Sequence, residues 1–172
     1  MKDDLKFESI FLEILADLYD AEKQIIEALP KLIAEADSEL LAGALQLHLD
    51  ETKEQVVRLE TIFERMGEQP GSGRSEAMLG LISEGERSLG KFRKSPALDI
   101  ALIASAQKVE HYELAAYGSA CRLAEMLGQE DALELLQDTL EEERTADENL
   151  AEVAEGILTG DDAAAEDSGE EE

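Results

Sequence analysis

Polar side chains interrupt the apolar stripe of four long helical segments, in each case near the middle of the segment. In "QKVEHYELAAYG" (residues 107–118), Glu110 and Glu113 share one predicted helix face, bracketed by Val109 and Ala116. The other interruptions are Glu22, between Leu18 and Ile25; His48, Glu51, Thr52 and Gln55, between Leu45 and Leu59; and Glu143 and Asp147, between Leu140 and Leu150. Carboxylates with one or two imidazoles are ligands that suit iron or manganese.

Bringing several carboxylates together inside a protein is unfavourable, because each ion loses its hydration and like charges repel. The groups must stay protonated or enclose cations. No Lys or Arg lies on these stripes, although Arg144 adjoins one. If the helical hairpins turn near residues 36–37 and 128–129, the carboxylates meet level by level: Glu22 faces Glu51, Glu113 faces position 144 beside Glu143, and Glu110 faces Asp147. A pair of divalent or trivalent cations would neutralise such a cluster.

Several of the candidates have alternatives. The stripe of the first helix could rotate and leave Glu22 at the surface, and Glu54 competes with Glu51 one turn on. His48 precedes Glu51 by three residues, which reverses the usual Glu-x-x-His order of di-iron helices. His48 is therefore either a metal ligand or a partner that hydrogen-bonds a ligating carboxylate.

At least one of Glu110 and Glu113 is expected to bind metal. Glu143 is the best candidate in "LEEER", and Asp147 is expected either to bind metal or to hydrogen-bond a ligand. His111 points about a third of a turn away and is expected at a boundary or interface. The tyrosines and the single cysteine are expected to pack in the core, although a tyrosine near metals can hydrogen-bond a ligand: Tyr19, Tyr112, Tyr117 and Cys121.

Apolar periodicity predicts four long helices and a shorter one, at about residues 4–36, 38–66, 75–91, 96–127 and 131–158. Ser38 is expected to cap the second helix, Pro96 to be the first residue of the fourth, and Pro30 to kink or break the first. Two hairpins joined by a long crossover with a short extra helix predict an all-α, antiparallel four-helix bundle with ferritin-like connectivity. Residues 1–160 would form this bundle and 161–172, "DDAAAEDSGEEE", an acidic disordered tail.

The net charge of −27 argues against binding to nucleic acid or to an anionic membrane through a basic surface. The acidity fits either a well-solvated surface with an acidic tail or a protein from a high-salt cytoplasm, where salt screens the repulsion. The N-terminal residues lack the pattern of a signal peptide, and no apolar run is long enough to span a bilayer. These features predict a cytoplasmic protein.

Four segments resemble the YciE/YciF family of ferritin-like proteins, in the order of that family: "LADLYDAEKQIIEALPKL", "LHLDETKEQVVRLETIFERMG", "KVEHYELAAYGSACRLAEMLG" and "LLQDTLEEERTADENL". The resemblance covers about residues 12–153. It implies a four-helix bundle with extra short helices, a homodimer, an association with stress responses and a dinuclear metal site. By the same resemblance the site would use Glu22, Glu51, Glu110, Glu113 and Glu143, with His48 and Asp147 in or near it.

The functional expectation is a di-metal protein that uses iron or manganese to react with peroxide or oxygen, or that holds metal. Iron storage is a weaker third hypothesis, because it requires a large cage and nothing in the sequence indicates cage contacts. The absence of Glu-x-x-His from every helix puts oxygen activation of the usual type in doubt. The alternative is a non-enzymatic dimeric helical protein that interacts with a partner under stress and keeps a vestigial site.

Overall fold

Five α-helices make up the part of the chain that the computed structural model describes, residues 4–71 and 73–160, with side chains from residue 6 onward. They are α1 (Asp4–Glu35), α2 (Glu39–Met66), α3 (Glu76–Phe92), α4 (Leu98–Leu127) and α5 (Glu130–Thr159). These ranges contain no strand, which confirms the all-α prediction. The predicted acidic tail lies outside the described residues. No helix in the described ranges combines the length and apolarity needed to cross a bilayer.

Local sequence signals set most helix ends. The side chain of Ser38 accepts a hydrogen bond from the backbone N–H of Leu41, and Ser75 does the same for Met78, so both serines cap the helices that follow them. Gly67 ends α2 with a φ of 72°, a left-handed conformation that glycine adopts without steric cost. The predicted cap at Ser38 is confirmed.

The two prolines in helical segments behave differently from the simplest expectation. Helix α1 continues through Pro30 to Glu35, so of the two predicted alternatives the break is wrong, and the kink stays a prediction. Pro30 is exposed, and its ring therefore lies away from the core. Pro96 does not open α4, which begins two residues later, at Leu98. The turn before it is held by bonds from Ser95 N–H to the Phe92 carbonyl and from Leu98 N–H to the Ser95 carbonyl.

The four long helices pack side by side as two hairpins. Helix α1 contacts α2 and α4, and α5 contacts α4 and α2. Neighbouring helices run antiparallel, because residues near the α1–α2 turn share an apolar cluster with the start of α4 and the end of α5. Helix α3 lies within the long connection from α2 to α4 and packs mainly on α4. The predicted long crossover with an extra helix is thus present.

Two apolar clusters form the core, and a polar layer separates them. The upper cluster contains Ile25, Leu45, Ala106 and Leu150 among others. The lower cluster contains Leu18, Leu59, Tyr117 and Leu136 among others. The buried polar residues that lie between these positions along the four helices are Glu22, His48, Thr52, Gln55, Glu110, Glu113, Thr139 and Glu143. The fold therefore places the interruptions of all four apolar stripes at one level.

The α1–α2 turn is tied to the start of α4 by one carboxylate. Asp99 is 7 % exposed and accepts hydrogen bonds from the backbone N–H groups of Asp37, at 2.9 Å, and Ser38, at 2.7 Å. These bonds fix the point where the first hairpin turns, and so contribute to the register of α1 against α2.

We expect Asp99→Ala to lower the free energy of unfolding by about 3 kcal/mol, because two charge-assisted hydrogen bonds are lost and their donors stay partly buried. Chemical denaturation monitored by circular dichroism measures the change. Asp131→Ala is the matched control, since Asp131 also lies in the first turn of a helix but is exposed. Equal effects of the two substitutions would show that the backbone bonds of Asp99 do not stabilise the turn.

Candidate metal centre

Four acidic side chains and one histidine from all four long helices meet in the polar layer. Glu22, Glu113 and Glu143 are 0 % exposed, Glu110 is 1 % and His48 is 5 %. One donor atom from each of His48, Glu110, Glu113 and Glu143 lies within 4.8 Å of the others. The carboxyl group of Glu22 lies beside that of Glu113. Helix geometry brings these groups together, because each occupies a core-facing position at the same height.

The carboxyl groups approach one another in pairs. Those of Glu22 and Glu113 lie close enough to share a proton, and so do those of Glu110 and Glu143. Burial, followed by the charge of Glu143, raises the pKa of Glu22 to about 8. Burial also raises the pKa of Glu143 to about 7, and the pKa values of Glu110 and Glu113 lie well above the usual range. Without cations, the cluster therefore retains protons near neutral pH.

His48 adds a neutral imidazole to the cluster. Burial lowers its pKa to about 4, so the ring carries no charge at pH 7 and has a free lone pair. Its Nε2 lies 3.6 Å from Glu110 Oε1, and its Nδ1 lies 4.0 Å from Glu143 Oε2. The His48 ring is neutral and the two carboxyl groups are partly protonated, so neither contact is a strong ion pair.

Many polar atoms of the cluster lack partners within the described residues, unless a neighbouring carboxyl group supplies a proton. They are both ring nitrogens of His48, both oxygens of Glu113, and one oxygen each of Glu22, Glu110 and Glu143. Buried polar atoms are normally paired. An octahedral ion with ligands at about 2.1 Å places opposite ligands about 4.2 Å apart, slightly less than the 4.8 Å spread of the donor atoms. The donor set thus fits a bound cation after small inward movements.

Neighbouring side chains hold the carboxylates in place. The Tyr117 hydroxyl donates a hydrogen bond to Glu22 Oε1. Gln55 Nε2 donates to Glu143 Oε1, at 2.5 Å, and to Glu142 Oε2, at 3.1 Å. Arg58 makes a bidentate pair with Glu142, at 2.5 and 2.6 Å. Arg58 therefore places its charge beside the cluster and not inside it.

Of the seven predicted ligands, the structure brings five into the cluster: Glu22, His48, Glu110, Glu113 and Glu143. Glu51 is half-buried and, with His48 and Glu110, lines a small cavity of about 10 Å³. Burial raises the pKa of Glu51, and the charge of Glu142 adds to the effect. Asp147 lies at the edge, where it accepts a hydrogen bond from Gln107 and contacts exposed His111 at 3.2 Å. The role of all seven residues in binding metal stays a prediction.

The pairing across the second hairpin agrees in part with the expected one: donor atoms of Glu113 and Glu143 lie within 4.8 Å of each other, and the charge of Asp147 acts on Glu110. In addition, Glu110 meets Glu143, and Asp147 contacts Gln107 and His111. The patterns in the sequence assign no role to Gln55 or Arg58. A glutamine on an apolar stripe is nevertheless a usable signal, because a buried amide needs a partner. Arg58 lies off the stripe, and nothing in the periodicity shows that its long side chain reaches across to α5.

The fold and the cluster define an all-helical protein with a buried carboxylate–histidine centre. Residues 6–163 match the model of the family described as "Domain of unknown function (DUF892)". The chain is 42 % identical to Protein YciF of Escherichia coli (strain K12) over 148 residues, which cover 86 % of this chain and 89 % of that protein. The chain therefore belongs to the YciF family, as the resemblance of its four helical segments predicts.

Solved structures show the same fold. The crystal structure of the E. coli stress protein YciF matches with a TM-score of 0.86 at 40 % identity, covering 89 % of this chain and 97 % of that one. YcfI from Rhodopseudomonas palustris matches with a TM-score of 0.82 at 40 % identity, covering 84 % and 92 %. A protein from Xanthomonas campestris, at 17 % identity, shares the fold with a TM-score of 0.70 over 94 % of this chain and 99 % of its own.

The raised carboxyl pKa values predict how the stability of metal-free protein depends on pH. A carboxyl group whose pKa rises from 4.5 to about 8 on folding stabilises the fold most at low pH, and this contribution falls as pH increases from about 5 to 8. We expect Glu22→Gln to make the decrease in unfolding free energy over this range shallower, by up to about 1.4 kcal/mol per pH unit.

Urea denaturation at several pH values in the presence of a chelator measures the slope. Glu27→Gln is the matched control, because it removes the same charge from the exposed face of α1 and leaves the cluster intact. Since general repulsion within an acidic protein also varies with pH, only the difference between the two variants is informative. Identical slopes for both would contradict the proton-retaining cluster.

Proposed function

We propose that the chain is a ferritin-like four-helix protein whose polar layer binds two iron or manganese ions. The observation that carries this proposal is the group of donor atoms from His48, Glu110, Glu113 and Glu143, all buried and within 4.8 Å of one another. Such a group is costly unless cations or protons neutralise it. The arrangement of two antiparallel hairpins with a long crossover supports the ferritin-like assignment.

The residues of the chain would divide the work of binding. His48, Glu110, Glu113 and Glu143 would hold the ions, and Glu22 would add a carboxylate from the α1 side. Tyr117 would orient Glu22, and Gln55 would orient Glu143, through the hydrogen bonds that they already donate. Glu51 lies beside the small cavity next to His48, where it can bind an ion or a water molecule that reaches the centre.

When bound, the ions would supply Lewis acidity and one-electron redox chemistry toward peroxide or oxygen. The chain itself would shield the ions from water along the bundle axis, since two apolar clusters close the layer above and below. Uptake of cations would displace the protons that the cluster retains near pH 7. The relative from E. coli, YciF, is described as a stress protein. We extend this role to the present chain as part of the proposal.

A second candidate is a non-enzymatic stress protein with a vestigial site. Pairing of Glu22 with Glu113, and of Glu110 with Glu143, supports it, because shared protons can neutralise the cluster without metal. The reversed His-x-x-Glu order on α2 supports it as well.

Metal analysis separates the two candidates. We expect protein reconstituted without oxygen with Fe(II) or Mn(II) to retain two ions per chain after desalting, and the double variant Glu113→Gln/Glu143→Gln to retain none, because it removes two buried donors. Inductively coupled plasma mass spectrometry measures the content, and circular dichroism verifies the fold.

Glu134→Gln is the control for loss of charge, since Glu134 is exposed on the same helix as Glu143. Wild-type protein that retains no metal, together with Gln variants as stable as wild type or more so, would support the vestigial site. Metal that persists in the double variant would place the binding site elsewhere.

We also propose that the chain forms a homodimer through α2. Leu40 and Leu47 are 53 % and 50 % exposed and lie two turns apart on one face of this helix. Burial of these two leucines from each subunit would favour association.

Analytical ultracentrifugation should give twice the chain mass for the wild type and the single chain mass for Leu40→Glu/Leu47→Glu. Leu158→Glu is the control, because Leu158 is 73 % exposed on α5. A wild-type monomer, or a dimer that survives the double substitution, would contradict the proposed interface.

A further inference from the structure

The end of α3 carries the densest group of basic side chains in the sequence. Residues 87–94, "RSLGKFRK", contain four of the 15 basic residues and no acidic one, although the chain has a net charge of −27. The four are Arg87, Lys91, Arg93 and Lys94, and all of them are exposed. Residues 87–94 are called the basic segment below.

Only one of these four side chains forms an ion pair within the described residues. Arg93 pairs with Glu35. Arg87 donates only to a serine hydroxyl, at 3.3 Å, and Lys91 Nζ lies 4.9 Å from the centre of the adjacent phenylalanine ring. Lys94 makes no hydrogen bond or ion pair with any described residue. Three positive charges at this end of α3 therefore lack a carboxylate in direct contact.

Nearby charges compensate these three only in part. Glu84 and Glu86 precede the basic segment on α3, but they pair with Lys108 and Lys31. The charge of Arg87 also acts on Glu84. The dipole of α3 is equivalent to about half a negative charge at the C-terminus of the helix, which offsets less than one cation. The basic segment thus remains a positive surface on an acidic protein.

Helix α5 ends at the same end of the bundle as α3. Leu89 of α3 belongs to the upper cluster, and Phe92 of α3 and Ile157 of α5 pack against it. Helix α4 contacts both α3 and α5, so a single helix separates the two. With 8–10 Å between the axes of neighbouring helices, the end of α5 lies about 20 Å from the basic segment.

The acidic tail, residues 161–172, follows α5 directly. It contributes seven acidic side chains and no basic one. A chain of this length spans at most about 40 Å when fully extended, so it is long enough to reach the basic segment from the end of α5. The rest of the protein is net negative and repels the tail, which makes the basic segment its most favourable contact.

We propose that the acidic tail docks on the basic segment of its own chain. Its carboxylates pair with Arg87, Lys91 and Lys94, so the tail crosses the start of α4 and links the end of α5 to the end of α3. The covalent link to α5 favours this contact over one with another molecule, because it gives the tail a local concentration in the millimolar range. Docking covers this basic surface and keeps other polyanions from it. It does not depend on metal.

Paramagnetic relaxation tests the contact in the full-length, metal-free chain. A nitroxide attached through Ser168→Cys, in a Cys121→Ala background, reports which amides the tail approaches. At about 10 mM NaCl, where the Debye length is about 30 Å, we expect the label to weaken the amide signals of Gly90, Lys91 and Lys94 at least about twofold. At about 1 M NaCl, where the Debye length is about 3 Å, the signals should recover.

Charge variants distinguish ion pairing from mere proximity. Lys91→Gln/Lys94→Gln should abolish most of the weakening along the basic segment. Lys53→Gln/Arg65→Gln is the matched control and should leave the weakening unchanged, because it removes two exposed basic groups from α2. An amide tail should act like the first variant; its substitutions are Asp161→Asn, Asp162→Asn, Glu166→Gln, Asp167→Asn, Glu170→Gln, Glu171→Gln and Glu172→Gln.

The proposal is overturned if the amide tail weakens the same signals as the acidic tail, or if the weakening is spread over the acidic surface. A mixture of nitroxide-labelled ¹⁴N chain with unlabelled ¹⁵N chain tests the alternative of a second copy. Equal weakening in this mixture would contradict docking within one chain.

Amide shifts provide a second measurement if Cys121→Ala does not fold. In the chain with its native cysteine, the signals of Gly90, Lys91 and Lys94 should shift between low and high salt, and the amide tail should remove most of this shift. Equal shifts with the acidic and the amide tail would overturn the proposal.

Discussion

The main physical constraint on this structure is the burial of four carboxyl groups, which repel one another and lose their hydration. They belong to Glu22, Glu110, Glu113 and Glu143. Four carboxyl groups in one dry space must share protons or enclose cations. The raised pKa values indicate that the carboxyl groups of the metal-free chain share protons. The oxygens without partners leave positions where cations could bind. A neutral His48 fits both, because its ring adds no positive charge to compete with a cation.

Basic groups are kept away from this space. Arg58 neutralises Glu142 through two hydrogen bonds, and Arg144 pairs with exposed Glu141. Had Arg58 reached Glu143 instead, its guanidinium would have occupied a carboxylate oxygen that a cation could otherwise bind. The link from Arg58 through Glu142 to Gln55 instead orients Glu143 while leaving its second oxygen without a partner. Tyr117 has a comparable effect on Glu22 from the opposite side of the layer.

Sequence patterns predict the helices well, because apolar periodicity and caps such as Ser38 and Gly67 act locally. They also identify the level at which all four stripes become polar. Which side chains meet within this level depends on the register of the helices and on the length of each side chain. Glu110 meets Glu143 and is also affected by Asp147, because these two residues lie one turn apart on the same face of α5. Glu51 reaches only the margin, where periodicity alone cannot distinguish a core position from a boundary position. Pro96 suits the first position of a helix, but it lies in the turn before α4. Helix α4 therefore begins two residues later than predicted, at Leu98.

The polar layer also divides the interior into two separate apolar halves. Among the described residues, no buried apolar side chain belongs to both. Each half contains side chains from both hairpins, so each half packs the four long helices against one another. The two halves are coupled by the four helices that run through both and by the side chains of the polar layer between them. Multivalent ions in the polar layer would add bonds between helices, and so between the two halves, that shared protons do not supply.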